Sequence, residues 1–212
     1  MSEGFPSRIR SRAVVLRLEN VDTDVITPIG RVLQGREATV RYAFEPLRFD
    51  AEGAELPSHP FNNPERAGAQ ILIAGRNFGC GSSRETAAWA VRGLGFQVVV
   101  AASYGDIFYS NCLKTGVLPV RLAVEEVETL MRAADNLAEI EVDLPSQSLR
   151  CGEHQYGFEI GSLQKEMLLS GLDEIGMMQA QASVQAAFDE RDCLARPWVR
   201  DRQRPASPPG DG

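Results

Sequence analysis

Two short runs of uninterrupted apolar residues, Ile71-Leu72-Ile73-Ala74 and Val98-Val99-Val100-Ala101-Ala102, constrain this chain more than any other feature. A strand with one face in water alternates apolar and polar side chains. A strand with no polar position has to be buried on both faces, the condition of a central strand in a parallel sheet. The runs sit in a β-α-β-α-β series: strand Gln70–Ala74, helix Glu85–Leu94 stopped by Gly95, strand Gln97–Ala101, helix Asp106–Lys114 stopped by Gly116, strand Val117–Leu122. Glycine just past a helix suits the left-handed residue that ends it. Right-handed crossovers then place both helices on one side of the sheet.

Upstream, Ala13–Leu18 reads as a further strand that leads into a polar turn over Asn20–Asp24 and ends at Pro28. From Gly30 to about Pro64, glycines, prolines and scattered aromatics (Tyr42, Phe44, Phe49, Phe61) follow without sustained period. That predicts a long irregular region, or one that hides two short helices. Downstream, a helix over Val124–Ala134, an alternating strand over Glu139–Leu144 and a hairpin over Leu149–Ile160 point to an α/β domain with an antiparallel addition. Helices over about Leu163–Leu169 and Met177–Arg191 precede the tail RDRQRPASPPGDG, whose composition favours disorder. The expected organisation is one domain over residues 1–195 and a disordered tail over 196–212, without internal repeats.

A chain of 212 residues with 43% hydrophobic content can bury a sizeable core. Its net charge of -7 argues against a nucleic-acid or anionic-membrane surface, since phosphate binding needs a basic patch. No apolar stretch approaches the roughly 20 residues that span a bilayer, and MSEGFPSRIRSR lacks the apolar segment of a signal peptide, so the expected location is cytoplasmic. Cys80, Cys112, Cys151 and Cys193 are far apart and form no C-x-x-C pair. Their spacing builds neither a zinc nor an iron–sulfur site, and no metal ligand is predicted in this chain. His59 and His154 lie in polar, turn-like sequence and read as solvated loop residues.

The connection after the first apolar run is Gly75-Arg76-Asn77-Phe78-Gly79-Cys80-Gly81-Ser82-Ser83-Arg84-Glu85. A strand–loop–helix unit of this kind aims free N–H groups and a positive helix end at whatever sits above the loop. It lacks the lysine of a nucleotide P-loop and the intervals of G-x-G-x-x-G. Ser82 has two readings, because Ser82-x-x-Glu85 also fits a capping box. Arg84 weighs toward a site. A cation in a first turn is opposed by the helix dipole by a few tenths of a kcal/mol or more, roughly. An arginine there suggests an external carboxylate gripped bidentately, against the alternative of a solvated surface residue. Asp22-Thr23-Asp24 reads as an Asx-type turn or as a polar brace for the serine loop. Ser103 or Asp106 would cap the second helix, on which Asn111 and Lys114 share about one face; the dipole alone accounts for Lys114 near its end.

Together, NVDTDVITP, GRNFGCGSSRE with the following Trp89, and SYGDIFYSNCLKTGVLP resemble the small subunits of the 3-isopropylmalate dehydratases, within the aconitase family, over about residues 8–192. The resemblance implies a swivelling β/β/α three-layer domain of α/β class, with a mostly parallel core sheet and added antiparallel strands. It implies a hydro-lyase of leucine biosynthesis that interconverts 2-isopropylmalate and 3-isopropylmalate through isopropylmaleate. The implied partners are a large subunit holding a 4Fe-4S cluster, which takes the leaving hydroxyl, and a small dicarboxylate substrate; this chain itself would bind no cofactor. The base that removes the carbon-bound proton lands on Ser82, the first serine of the G-S-S-R motif. Its alkoxide would be stabilised by helix N-terminal N–H groups and by Arg84. Arg84 and Ser83 would bind a carboxylate beside Gly81, with Asp22, Thr23, Asp24, Asn77, Cys80, Asn111 and Lys114 in support.

The chain departs from the family pattern in places. Where small subunits usually read S-S-R-E-H-A-P-W, it has Thr86 and Ala88 in Ser82-Ser83-Arg84-Glu85-Thr86-Ala87-Ala88-Trp89. Threonine does not carry a proton at neutral pH as histidine does. The loop Ile29-Gly30-Arg31-Val32-Leu33-Gln34 occupies the region that sets substrate side-chain preference in the family. Val32 and Leu33 would accept an isopropyl group, whereas Arg31 would suit the third carboxylate of a homoaconitase-type substrate. Citramalate or a dimethylmalate would be further substrates of the class. A non-catalytic paralogue that keeps the anion site is a different reading, favoured by Thr86 alone.

Overall fold

The computed structural model describes residues 4–172 and 176–177. Two compact units are distinguished, Met1–Gly171 and Leu172–Gly212, and the architecture below is that of the first. The expected helix Met177–Arg191 and the tail 196–212 lie outside the described residues, Met177 apart.

The apolar runs become central strands. β2 (Ala13–Leu16), β3 (Ile71–Ala74), β4 (Val98–Ala101) and β5 (Leu118–Arg121) form a parallel sheet in the order β2-β3-β4-β5. Every residue of β2, β3 and β4 is buried. Successive side chains serve opposite cores: Val15, Ile71, Ile73, Val98, Val100, Leu118 and Val120 on one face, Val14, Leu16, Leu72, Ala74, Val99 and Ala101 on the other. The second face is covered by α5 (Glu85–Gly93) and α6 (Asp106–Lys114), whose buried residues include Ala87, Ala88, Val91, Phe108 and Cys112. Both helices lie on one side, as right-handed crossovers require. Gly95 (φ 98°) and Gly116 (φ 74°) end the two helices, and the N–H of Val117 reaches back to the Cys112 carbonyl at 2.9 Å.

The first face is covered by α7 (Val124–Asp135), through Val127, Leu130, Met131 and Ala134, and by a second sheet. That sheet is antiparallel, β1 (Arg8–Ser11), β6 (Ile140–Asp143), β7 (Ser148–Cys151) and β8 (His154–Gly157), in the order β1-β6-β7-β8. It turns Ile9, Ile140, Val142, Leu149 and Cys151 inward. The result is a three-layer β/β/α fold whose antiparallel strands make a sheet of their own instead of extending the parallel one. α8 (Ser162–Ser170) closes the first unit. Among the described residues no helix is long and apolar enough to cross a membrane.

Two regions differ from the sequence reading. β1 has one buried apolar residue, Ile9, and owes its existence to pairing with β6, where Arg8 bonds Asp143 at 2.8 Å. The region expected to be irregular contains α2 (Ile29–Val32), α3 (Arg36–Arg41), α4 (Glu45–Arg48) and 3-10 turns at Pro60–Asn62 and Pro64–Arg66, preceded by α1 (Thr23–Ile26) in the supposed polar turn. Elements of four to six residues are too short to display a period. They are held from outside: Phe44, fully buried, stacks on Phe61 at 4.6 Å, and the buried Arg48 guanidinium donates to the Ala43 carbonyl at 3.0 Å.

Candidate functional site

The glycine-rich connection leaves the C-terminal end of β3 and is tied down on both sides. Toward β4, the Asn77 N–H donates to Ser103 Oγ at 2.9 Å and the Phe78 N–H to the Ser103 carbonyl at 3.1 Å. Ser103 therefore braces the loop and does not cap α6; the N-cap is Gly105, as neither Ser103 nor Asp106 fills that position. The Phe78 ring is fully buried, 5.3 Å from Phe108 edge to face. Gly79 has φ 70°, and a Cβ there would lie 2.2 Å from Phe108 Cγ, so only glycine lets the backbone turn against that ring. Asn77, also at positive φ, donates through Nδ2 to Asn20 Oδ1 at 2.8 Å.

Toward α1, the Gly79 N–H bonds the Val21 carbonyl at 2.7 Å, the Thr23 N–H bonds the Cys80 carbonyl at 2.9 Å, and Thr23 Oγ1 donates to the Ser82 carbonyl at 3.1 Å. Asp22 is the N-cap of α1, accepting from the Val25 N–H at 2.8 Å. The Asp22–Asp24 stretch is thus a helix start whose Thr23 grips the serine loop.

Gly81 (φ 90°), Ser82 and Ser83 are exposed at the crest, and among the described residues neither serine hydroxyl has a hydrogen-bond partner. The capping box does not form. Arg84 is the N-cap of α5, with extended backbone and no side-chain cap, so Ser82 is released from that structural duty. Arg84 stands before the first turn, and its charge is met within the chain by an ion pair between Nη1 and Asp24 Oδ1. Nη1 also donates to the Thr27 carbonyl at 3.2 Å, and the side chain is 21% exposed. Nε and Nη2 make no hydrogen bond among the described residues, so the guanidinium is oriented through one nitrogen and keeps an edge for bidentate carboxylate binding. Thr27 is a part of this site that the sequence reading missed, since nothing in local sequence marks it.

Other expected residues fall elsewhere. Arg31 is consumed by Glu45, donating through Nε at 2.9 Å and through Nη2, and its guanidinium lies 3.9 Å from the Tyr42 ring centre. Hydrogen bonding to Glu45 raises the Arg31 pKa and that to Arg31 lowers the Glu45 pKa. Val32 is half-buried, while Ile29, the first residue of α2, and Leu33, its C-cap, are 55% and 81% exposed; α2 begins two residues after Thr27. Asn111 is buried on α6 and Lys114 is exposed at its last residue. α6 meets the serine loop at its opposite end, where a Cβ on Gly105 would lie 2.4 Å from the Gly79 carbonyl. Roughly 12 Å of helix rise separates Lys114 from that contact. Cys80 is half-buried within the loop; burial raises the pKa of Cys112 and Cys151 elsewhere. Among the described residues no group of three or more His, Cys, Asp and Glu side chains is placed to hold a metal ion. A recess of about 840 Å³ opens beyond β4 and β5 between Tyr109, Arg121, Gln147 and Phe158, and includes no serine-loop residue.

The family described as the aconitase C-terminal domain matches residues 48–125. The 3-isopropylmalate dehydratase small subunit of Shouchella clausii is 45% identical over 185 residues, covering 86% of this chain and 93% of that one. That of Jannaschia sp. is 42% identical over 192 residues, covering 88% and 95%. The crystal structure of a 3-isopropylmalate dehydratase from Methanocaldococcus jannaschii shares the fold, with a TM-score of 0.63 and 24% identity over 85% of this chain and 98% of that one. With two relatives above 40% identity over more than four-fifths of its length, the chain belongs to the family of 3-isopropylmalate dehydratase small subunits.

Proposed function

We propose that this chain is the small subunit of a 3-isopropylmalate dehydratase, acting in leucine biosynthesis and completing its active site only against a large subunit. The observation that carries the reading is the serine crest: two exposed hydroxyls without partners among the described residues, beside an arginine oriented through one nitrogen. Gly81, Ser82 and Ser83 are exposed, so this chain alone does not enclose a small molecule there, and a facing surface has to exclude the water.

The free edge of Arg84 takes one substrate carboxylate, with Ser83 as a second donor. Ser82 Oγ then takes the proton from the carbon next to that carboxylate. A serine hydroxyl is too weak a base for this, so the acting form is its alkoxide, which the positive end of α5 together with Arg84 favours and which becomes the neutral hydroxyl on taking the proton. The Lewis acidity that accepts the leaving hydroxyl is assigned to an iron–sulfur cluster on the large subunit. Rehydration places the hydroxyl on the carbon that lost the proton, and Ser82 Oγ gives a proton to the carbon that lost the hydroxyl.

The α2 surface favours an alkyl-substituted malate. Exposed Ile29 and Leu33 follow Thr27, the residue that holds Arg84, whereas Arg31 is already paired with Glu45 and offers no ready partner for a third carboxylate. The test is turnover of 3-isopropylmalate to isopropylmaleate by this chain mixed anaerobically with its cluster-loaded large subunit. The wild type is expected to turn over, and Ser82→Ala to lose about 10²- to 10⁴-fold in kcat while the complex still assembles. A silent wild-type pair that assembles, but handles citramalate or a dimethylmalate, would move the assignment to another diacid.

A further inference from the structure

We infer that Thr86 is a positioning residue for Arg84, acting through Thr27; the inference rests on the proposed carboxylate-binding role of Arg84. Thr27 is the C-cap of α1 and is wholly buried. Its backbone N–H donates to the Thr23 carbonyl at 2.9 Å, and its hydroxyl donates to the same carbonyl at 3.1 Å. A hydroxyl has a single proton, and a carbonyl can only accept. The proton of Thr27 Oγ1 is therefore spent on Thr23. In the 3.5 Å contact between the Thr27 and Thr86 hydroxyls, at the long end of hydrogen bonding, Thr86 is then the donor. The chain of hydroxyls is directed from Thr86 to Thr27 to the Thr23 carbonyl.

The geometry gives this chain a function beyond tying two helices together. Thr86 stands in the first turn of α5, two residues after Arg84, and both reach the same residue of α1: Arg84 the Thr27 carbonyl at 3.2 Å, Thr86 the Thr27 hydroxyl. Thr27 is thereby gripped from α5 at two points, which sets the distance across which the guanidinium is stretched and the direction its free edge faces. Ser82 is held one link further on, by Thr23 Oγ1 on its carbonyl, so loosening Thr86 reaches the arginine before the serine. A threonine suits this position because its hydroxyl lies one bond from Cβ and faces a hydroxyl acceptor already in place. On this reading Thr86, standing where the family pattern has histidine, is a positioning donor in its own right.

The test compares Thr86→Val, which keeps shape and removes the donor, with Thr86→Ser, which keeps the donor. In the complete complex, Thr86→Val is expected to lower kcat/KM for 3-isopropylmalate about two- to tenfold, the range of one neutral hydrogen bond, and Thr86→Ser to restore it. A second readout needs no activity. In the full chain alone, phenylglyoxal labelling of Arg84, measured by mass spectrometry against the exposed Arg76, should quicken by a similar factor in Thr86→Val and stay at the wild-type rate in Thr86→Ser. Unchanged Arg84 labelling in Thr86→Val, or a serine variant that behaves like valine, overturns the inference. If the wild-type complex turns over no diacid, the proposed function fails while the labelling still decides the positioning.

Discussion

The two sheets bury themselves by different means, and the difference explains where the candidate site residues stand. In the parallel sheet, β2, β3 and β4 have no exposed residue, and each strand feeds two cores. In the antiparallel sheet, burial alternates along β6 and β7, and the outer face carries ion pairs such as Arg10–Glu139 at 2.7 Å, with the two side chains 68% and 53% exposed. Exposed pairs of that kind contribute little to stability. A strand packed on both faces cannot shift without disturbing two cores. A loop that starts from its end inherits that rigidity, and the serine loop starts from β3. The half-solvated sheet serves as cover for the first core and carries none of the candidate site.

Disturbing the anchor of the parallel-sheet loop should cost most. Phe78→Ala empties a fully buried ring site between Phe44 and Phe108, and should lower unfolding free energy by about 3–5 kcal/mol, read from urea melts. A loss below about 1 kcal/mol would mean that the loop is not anchored there. Gly79→Ala places a methyl group 2.2 Å from Phe108 Cγ at a backbone φ of 70°, and should cost about 1–3 kcal/mol while also reducing turnover in the complex. Stability loss without loss of turnover would separate the anchor from the site.

The smallest effect belongs to the antiparallel sheet and depends on pH. Asp143 accepts from the N–H and hydroxyl of Ser146 and from Arg8, in that order of importance, and these hold its pKa at about 2. A carboxylate depressed in the folded state stabilises above its unfolded pKa of about 3.9, and the stabilisation is lost as pH falls toward the folded value. Asp143→Ala should cost about 1 kcal/mol or less at pH 7, and its urea midpoint should converge with that of the wild type between about pH 4 and about pH 2. Convergence at neutral pH would show that the bonds to Ser146 and Arg8 do not matter.

Legibility followed the same division. The bounds of α6, Asp106–Lys114, coincide with those read from the sequence, and β3 and β4 differ by a residue at one end, because apolar content and glycine stops act within a few residues. The motif Gly81-Ser82-Ser83-Arg84 was equally visible. What was not visible came from contacts between distant segments. α1 to α4 depend on Phe44 meeting Phe61 and on Arg48 folding back on Ala43. Ser103 looked like a helix cap and instead braces Asn77, 26 residues away.

Arg84 marks the boundary most clearly. Local sequence placed a cation beside a helix start and called for an external anion; Asp24 and Thr27, some 60 and 57 positions earlier, supply its first partners. By itself the sequence determined the parallel layer, the glycine stops and the serine–arginine crest, since these depend on side-chain periodicity and backbone freedom over short spans. Tertiary structure alone decided which way the arginine is held, that Ser82 is spared from capping, and that Arg31 is already paired. Hydrogen bonds and ion pairs are short-range and directional, and they are settled only when chain segments far apart in sequence are brought within about 3 Å of one another.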